Sequence, residues 1–156
     1  MRIDLNGFGL DIPDGWEGEL GWAGREAPSG LSLSSTSGQR VVAHLANFAL
    51  PTERGDYGSG AVELMDSGAI FISIMEFARS ASAPSLFSGR GVPTSVSGAD
   101  FSPDQLQRRL PGQGGLQRWF TVGERRFVLY VVIGSYRRRD VLAPEVSRLL
   151  RGIDIS

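Results

Sequence analysis

Three times along this chain, two runs of strand-forming residues face each other across a two-residue turn. No other feature limits the possible folds as much. Residues 2–5 and 8–12 flank Asn6-Gly7, residues 61–66 and 69–77 flank Ser67-Gly68, and residues 116–122 and 125–135 flank Gly123-Glu124. Asn-Gly is the favoured pair for a type I′ hairpin, because both central positions need positive φ. The third pair carries Trp119, Phe120, Phe127, Tyr130, Val131, Val132 and Ile133. These aromatic and β-branched types fit a pleated, half-buried surface. The chain is therefore expected to be built on antiparallel hairpins.

The remaining segments fit around them. At Pro13-Asp14-Gly15-Trp16 the proline removes a ladder donor and Asp-Gly supplies turn chemistry. The stretch reads as a corner, with Trp16 pinning the outgoing strand to the core. Trp16, Gly18, Leu20 and Trp22 alternate with Glu17 and Glu19, the period-2 pattern of a half-buried strand. A short strand is expected at 31–34. Residues 40–50 are apolar on both alternating faces and predict a central strand. Residues 51–60 read as a polar loop. Residues 78–99 form a Ser/Gly/Pro-rich connection, longer than compact domains usually leave without structure, so it is either functional or held down by Leu86, Phe87 and Val92. Ser102, Pro103 and Gln105 predict a short capped helix. Residues 141–151 predict a second helix, with Asp140 as N-cap, Pro144 in its first turn and Gly152 just past its end. The 156 residues fit one domain spanning 1–156. The fold class is α+β: an antiparallel sheet of about six or seven strands, one short helix and a C-terminal helix.

Composition excludes several chemistries. There is no cysteine, which removes disulfides and thiolate metal sites. All 16 basic residues are arginine, so no lysine is present for Schiff-base chemistry. The segment 1–16 lacks an apolar stretch typical of a signal peptide, and no run approaches the ~20 apolar residues of a membrane helix. The expectation is a cytoplasmic protein without a membrane span. A formal net charge of −1 speaks against a protein that wraps nucleic acid.

The stretch Phe8-Gly9-Leu10-Asp11-Ile12-Pro13-Asp14-Gly15-Trp16 resembles the opening of proteins with the Mog1/PsbP-like fold, where an alternating strand ends in Pro-x-Gly-Trp. A strand, a C-terminal helix and a few apolar residues at the end are also similar. Members include photosystem accessory proteins, a Ran-binding factor, bacterial lipoproteins and chaperones of secreted effectors. The resemblance implies binding rather than catalysis. No long helix is expected between the early strands, which departs from that pattern, and no family binding residue carries over to a single position here.

The catalytic inventory is thin. His44 is the sole histidine and lies mid-strand, and no Gly-x-Ser-x-Gly elbow follows a strand. Glu53, Asp56, Glu63 and Asp66 lack the spacing of a calcium loop. Gly112–Gly115 follows a helix and precedes a strand, the reverse of a phosphate loop. No catalytic residue, metal site or cofactor is assigned. The sharpest feature is Ser135-Tyr136-Arg137-Arg138-Arg139-Asp140. Its three guanidinium groups can clamp carboxylates bidentately, and Tyr136, Arg137, Arg138, Arg139 and Tyr57 are the candidate partner-binding residues. Arg108-Arg109 and Arg125-Arg126 extend the patch if the fold brings them together. The preferred reading is a non-enzymatic protein-interaction module, an adaptor or chaperone-like component of a bacterial assembly or secretion system. It has a protein partner, and an exposed hairpin edge offers a route to homo-oligomers. Two rivals stay open: a small hydrolase-like enzyme using His44 or a carboxylate pair, and an anion- or nucleic-acid-binding protein using the arginines.

Overall fold

The computed structural model describes residues 1–23, 40–78 and 84–156; the strand expected at 31–34 lies outside them. The first hairpin forms as its turn residues dictate. β1 (Arg2–Leu5) pairs antiparallel with β2 (Phe8–Asp11), and Asn6 and Gly7 have φ of 50° and 78°. The corner follows, with Gly15 at φ 83° and the Trp16 amide donating to the Pro13 carbonyl at 3.1 Å. Trp16 packs partly buried against the main core.

Six strands make the principal sheet: β3 (Glu17–Trp22), β4 (Val41–Ala46), β5 (Ile70–Phe77), β6 (Gly89–Arg90), β7 (Gly114–Val122) and β8 (Arg125–Ile133). Their order is β3-β4-β5-β8-β7-β6. β4 and most of β5 and β8 are buried along their length, as sheet interiors covered on both faces require. The third expected hairpin is β7–β8, and a positive φ at Gly123 makes its turn.

The middle hairpin does not form. Residues Val62–Leu64 are a 3-10 turn, and β5 pairs instead with β4 and β8. Both neighbours of β5 are long apolar strands, and they bury Ile70, Ile72 and Ile74 more fully than a partner at 61–66 with Glu63 and Asp66 would. Two strands were not expected. β6 is two residues long and runs parallel to β7. β9 (Ile153–Ile155) follows the helix and pairs with β2, completing a three-stranded sheet in the order β1-β2-β9.

Helix α1 (Arg139–Leu150) starts two residues earlier than expected. Its N-cap is Arg138, not Asp140, and no side chain caps it. A 3-10 turn at Tyr136–Arg138 leads directly into it, and Pro144 sits inside the helix. The short helix expected after Ser102 is a 3-10 turn, Pro103–Gln105, with Ser102 Oγ accepting from the Asp104 amide at 3.1 Å.

One face of the principal sheet carries Leu45, Ile72, Leu129, Val131, Leu116 and Phe120. It is covered by α1, through Leu142, Val146, Leu149 and Leu150, and by Phe8, Leu10 and Ile153 of the small sheet. The connection after β6 is fastened to this layer. Val96 donates to and accepts from Ser147 Oγ of α1 at 2.9 and 3.1 Å. Asp100 takes hydrogen bonds from the Ser97 amide at 2.8 Å and lies 2.9 Å from Arg118. The Ser97 amide, aided by Arg118, lowers the Asp100 pKa below the usual carboxylate value. A carboxylate with a depressed folded pKa stabilises the fold above its unfolded pKa, and that stability is lost as pH falls through the folded value. Asp100→Asn is therefore expected to lower the urea midpoint at neutral pH. It should also flatten the loss of stability on acidification from about pH 4 downward, which a urea series at stepped pH would read.

The opposite face is covered by loops. Phe87 is buried, and its ring lies 5.7 Å from Phe77 and 5.5 Å from Trp119. This aromatic cluster seats the connection around β6 on the sheet. Of the three residues expected to hold it, Leu86 is exposed and Val92 packs at the edge of the main core.

Candidate functional site

Strand register puts a polar row across the loop-covered face. Glu19 pairs with His44, His44 with Ser73, Ser73 with Tyr130 and Tyr130 with Gln117. Five strands thus contribute one polar side chain each at the same level. Polar groups inside a sheet need hydrogen-bond partners, and the loop 51–60 supplies several. The Asp56 carbonyl accepts from Ser73 Oγ at 2.7 Å and from His44 Nε2 at 2.8 Å. Arg54 Nε donates to His44 Nδ1 at 2.8 Å, Nη1 donates to the Pro51 carbonyl at 2.6 Å, and Nη2 lies 3.0 Å from Glu19.

An imidazole that accepts at Nδ1 and donates at Nε2 is neutral, with both nitrogens engaged. His44 is 1% exposed. Its place is in the hydrogen bonding of the sheet face, and it offers no open nitrogen to a substrate. The loop read as polar is folded down onto the sheet, with Arg54, Gly55 and Asp56 buried. Among the described residues, no group of three or more His, Asp or Glu side chains is arranged to hold a metal ion, so Glu53, Asp56, Glu63 and Asp66 do not converge.

A cavity of about 180 Å³ opens where loop 51–65 meets the segment 103–113. Tyr130 and Val132 of β8 floor it, Tyr57, Ser59, Val62 and Glu63 make one wall, and Gln107, Arg108 and Gln113 the other. The Tyr57 and Tyr130 rings meet edge to face at 5.4 Å. At the mouth, Arg108 Nη1 and Glu63 Oε2 pair at 2.9 Å and join the two walls.

A shallower groove of about 530 Å³ runs beside it, between the segment 103–113 and the start of α1. Its lining includes Arg109, Leu110, Pro111, Tyr136 and Arg137. Three of the expected partner-binding residues belong to this region in different ways. Tyr136 and Arg137 line the groove, Arg137 being exposed. Arg139 lays its guanidinium over the Tyr136 ring at 4.3 Å and donates to the Tyr136 carbonyl, which orders the ring. Arg138 points elsewhere, toward the Ser67 carbonyl at 3.5 Å. Tyr57 lines the cavity rather than the groove. Of the two arginine pairs that could extend the patch, Arg109 lines the same groove as Arg137, while Arg108 belongs to the cavity, paired with Glu63. Arg125 and Arg126 do not reach it, since they lie beside the turn at the other end of nine-residue strands, about 30 Å of strand away. Sequence reading missed Gln113 and Tyr130 as site residues, and it weighed Glu63 only as a calcium ligand. Their only sequence signal is polarity within or beside apolar runs, and it becomes legible once register is known.

No protein-family model, no curated protein and no solved structure matches this chain.

Proposed function

We propose that this protein is a non-enzymatic interaction module, an adaptor or chaperone-like component that holds an acidic, partly apolar segment of a protein partner. The groove beside α1 carries the reading. It brings the exposed Arg137, and Arg109 with its partner Asp104 at 2.8 Å, beside an apolar lining of Leu110, Pro111 and Tyr136, and it adjoins the N-terminus of a twelve-residue helix. Guanidinium groups take carboxylates in bidentate geometry, helix N-termini favour negative charge, and Arg-aromatic surfaces are enriched where partners bind tightly. The burial of His44 points the same way, because the histidine of the enzyme reading is committed to the fold.

The Mog1/PsbP-like resemblance of the opening supports an adaptor in a bacterial assembly or secretion system, working in the cytoplasm. The test is a tagged pull-down from the native lysate, with and without nuclease, beside the double variant Arg109→Glu/Arg137→Glu. One dominant protein partner that survives nuclease and is reduced at least tenfold by the charge reversal, roughly 1.4 kcal/mol or more, is the expected result. Recovery that disappears with nuclease would replace this reading with nucleic-acid binding. Unchanged capture by the variant would remove the groove.

A further inference from the structure

We infer that the cavity between loop 51–65 and the segment 103–113 is a binding site for a small, uncharged, planar molecule that carries an amide. Size and lining set the shape. About 180 Å³ holds one substituted six-membered ring, since an apolar cavity of ~150 Å³ takes benzene. The Tyr130 and Tyr57 rings, which meet edge to face, and the side chains of Val62 and Val132 make most of the lining apolar. Flat ligands suit such a slot, and pockets of this kind fix orientation with a few polar groups.

Two of those polar groups are buried with hydrogen-bonding capacity left over. Tyr130 is 2% exposed. Its oxygen accepts from the Gln107 amide at 2.8 Å, and its own O–H donates to nothing among the described residues. Burial raises the Tyr130 pKa, so the proton stays on and the hydroxyl remains a donor. Gln113 is 6% exposed. Its Nε2 donates to the Val62 carbonyl at 2.8 Å, which fixes the orientation of the amide, because a flip would set two acceptors together. Its Oε1, itself closed off from solvent, is then left without a hydrogen-bond partner in a side chain that lines the cavity. Buried groups of this sort are costly to leave unsatisfied.

The complement is one donor and one acceptor on a flat frame, as in a carboxamide or a lactam. Charge is excluded by the mouth. Arg108 and Glu63 neutralise each other, and the second Glu63 oxygen accepts from the Gly60 amide at 2.7 Å. A carboxylate ligand would bring only acceptors and would compete with Glu63 for Arg108. A hydrocarbon would bring neither hydrogen bond.

The experiment is a titration of the 15N-labelled chain with benzamide, benzoate and toluene, read by amide shifts. Benzamide at millimolar concentration should give saturable shifts centred on the Gln107 amide, the Gln113 side-chain amide and Val62. Benzoate and toluene should bind roughly tenfold more weakly, the effect of one hydrogen bond of ordinary strength. Tyr130→Phe keeps the ring and removes the donor, and should weaken benzamide by a similar factor while leaving toluene unchanged. Should Tyr130→Phe fail to fold, Arg108→Ala, at an exposed position, serves instead. It opens the mouth and should speed exchange of bound benzamide. No saturable shift at these groups, or equal binding of toluene and benzamide, would overturn the inference. Neither outcome bears on the groove beside α1.

Discussion

Replacing Arg125 with alanine is expected to cost about 3 kcal/mol, the lower end of the range for removing one partner of a buried ion pair, since this pair is largely but not wholly buried. Arg125 Nε and Nη2 each reach a Glu76 oxygen at 2.9 Å, with side-chain exposures of only 15% and 11%. Its Nη1 donates to the carbonyls of Asn6 and Ser156 at 2.9 Å each, and its guanidinium lies over Phe127. One side chain therefore joins the first hairpin turn, the edge of β9 and the centre of the principal sheet. Without it, Glu76 loses both guanidinium contacts and keeps the Val41 amide at 3.1 Å. Arg125→Lys should recover little, because an ammonium cannot fork across two carboxylate oxygens and two carbonyls. The double variant Arg125→Leu/Glu76→Leu should be less damaging than Arg125→Ala alone, since no charge is stranded. Urea midpoints of the three proteins decide the matter, and a parental midpoint for Arg125→Ala would refute this account.

Gly134→Ala is the second large effect. A Cβ at this position would stand 1.7 Å from the Asp66 carbonyl oxygen and 2.8 Å from its carbon. The obstacle is backbone, and it is tied down on several sides. The Gly134 amide donates to the Ala69 carbonyl at 2.9 Å, and the Ala69 amide to that of Asp66 at 3.1 Å. Asn47 bonds the Gly68 carbonyl and the Ile70 amide at 3.0 and 2.8 Å. The loss should be about 3 kcal/mol, the upper part of the usual range for overpacking. Gly91→Ala is the contrasting control. Gly91 has φ of 81° and open space around it, so only the left-handed backbone is penalised, at about 1 kcal/mol. Equal melting temperatures for the two variants would show that the turn at 66–69 yields where the structure says it cannot.

What the sequence conveyed follows from how local each signal is. Asn6-Gly7, the corner at Pro13-Asp14-Gly15 and the run from Arg125 to Ile133 state their geometry within a few residues, and each formed as read. The apolar spacing of Leu142, Val146, Leu149 and Leu150 likewise announced α1. Its start was misjudged because Asp140 is a good N-cap residue, whereas Tyr136–Arg138 already winds as a 3-10 turn. The pairing of β5 was not legible. A hairpin to 61–66 competes locally with two long-range partners, and burial of both sheet faces decides for the latter. The parallel β6 carries no pattern in two residues. The site was legible in part. Arg137 and Tyr136 were marked by the charge run, but the row Glu19, His44, Ser73, Tyr130 and Gln117 exists only through register. The same holds for the cavity, whose two walls are about 50 residues apart in the chain.

The pairing of β9 with β2 sets a timetable for the protein's birth. Phe8, Gly9 and Leu10 match Ile155, Asp154 and Ile153, so the first hairpin gains its outer neighbour only after almost all of this stretch has been translated. At ~5–20 residues per second, a gap of this length lasts on the order of ten seconds or more. Until then Phe8 and Leu10, both fully buried in the finished molecule, belong to an incomplete sheet that is open to other chains. β7 and β8, adjacent in sequence, can zip up as soon as they emerge, whereas closure of the small sheet depends on loop entropy over more than 140 residues. Newly made copies should therefore pass through a nascent stage in which the opening strands are the part most in need of protection.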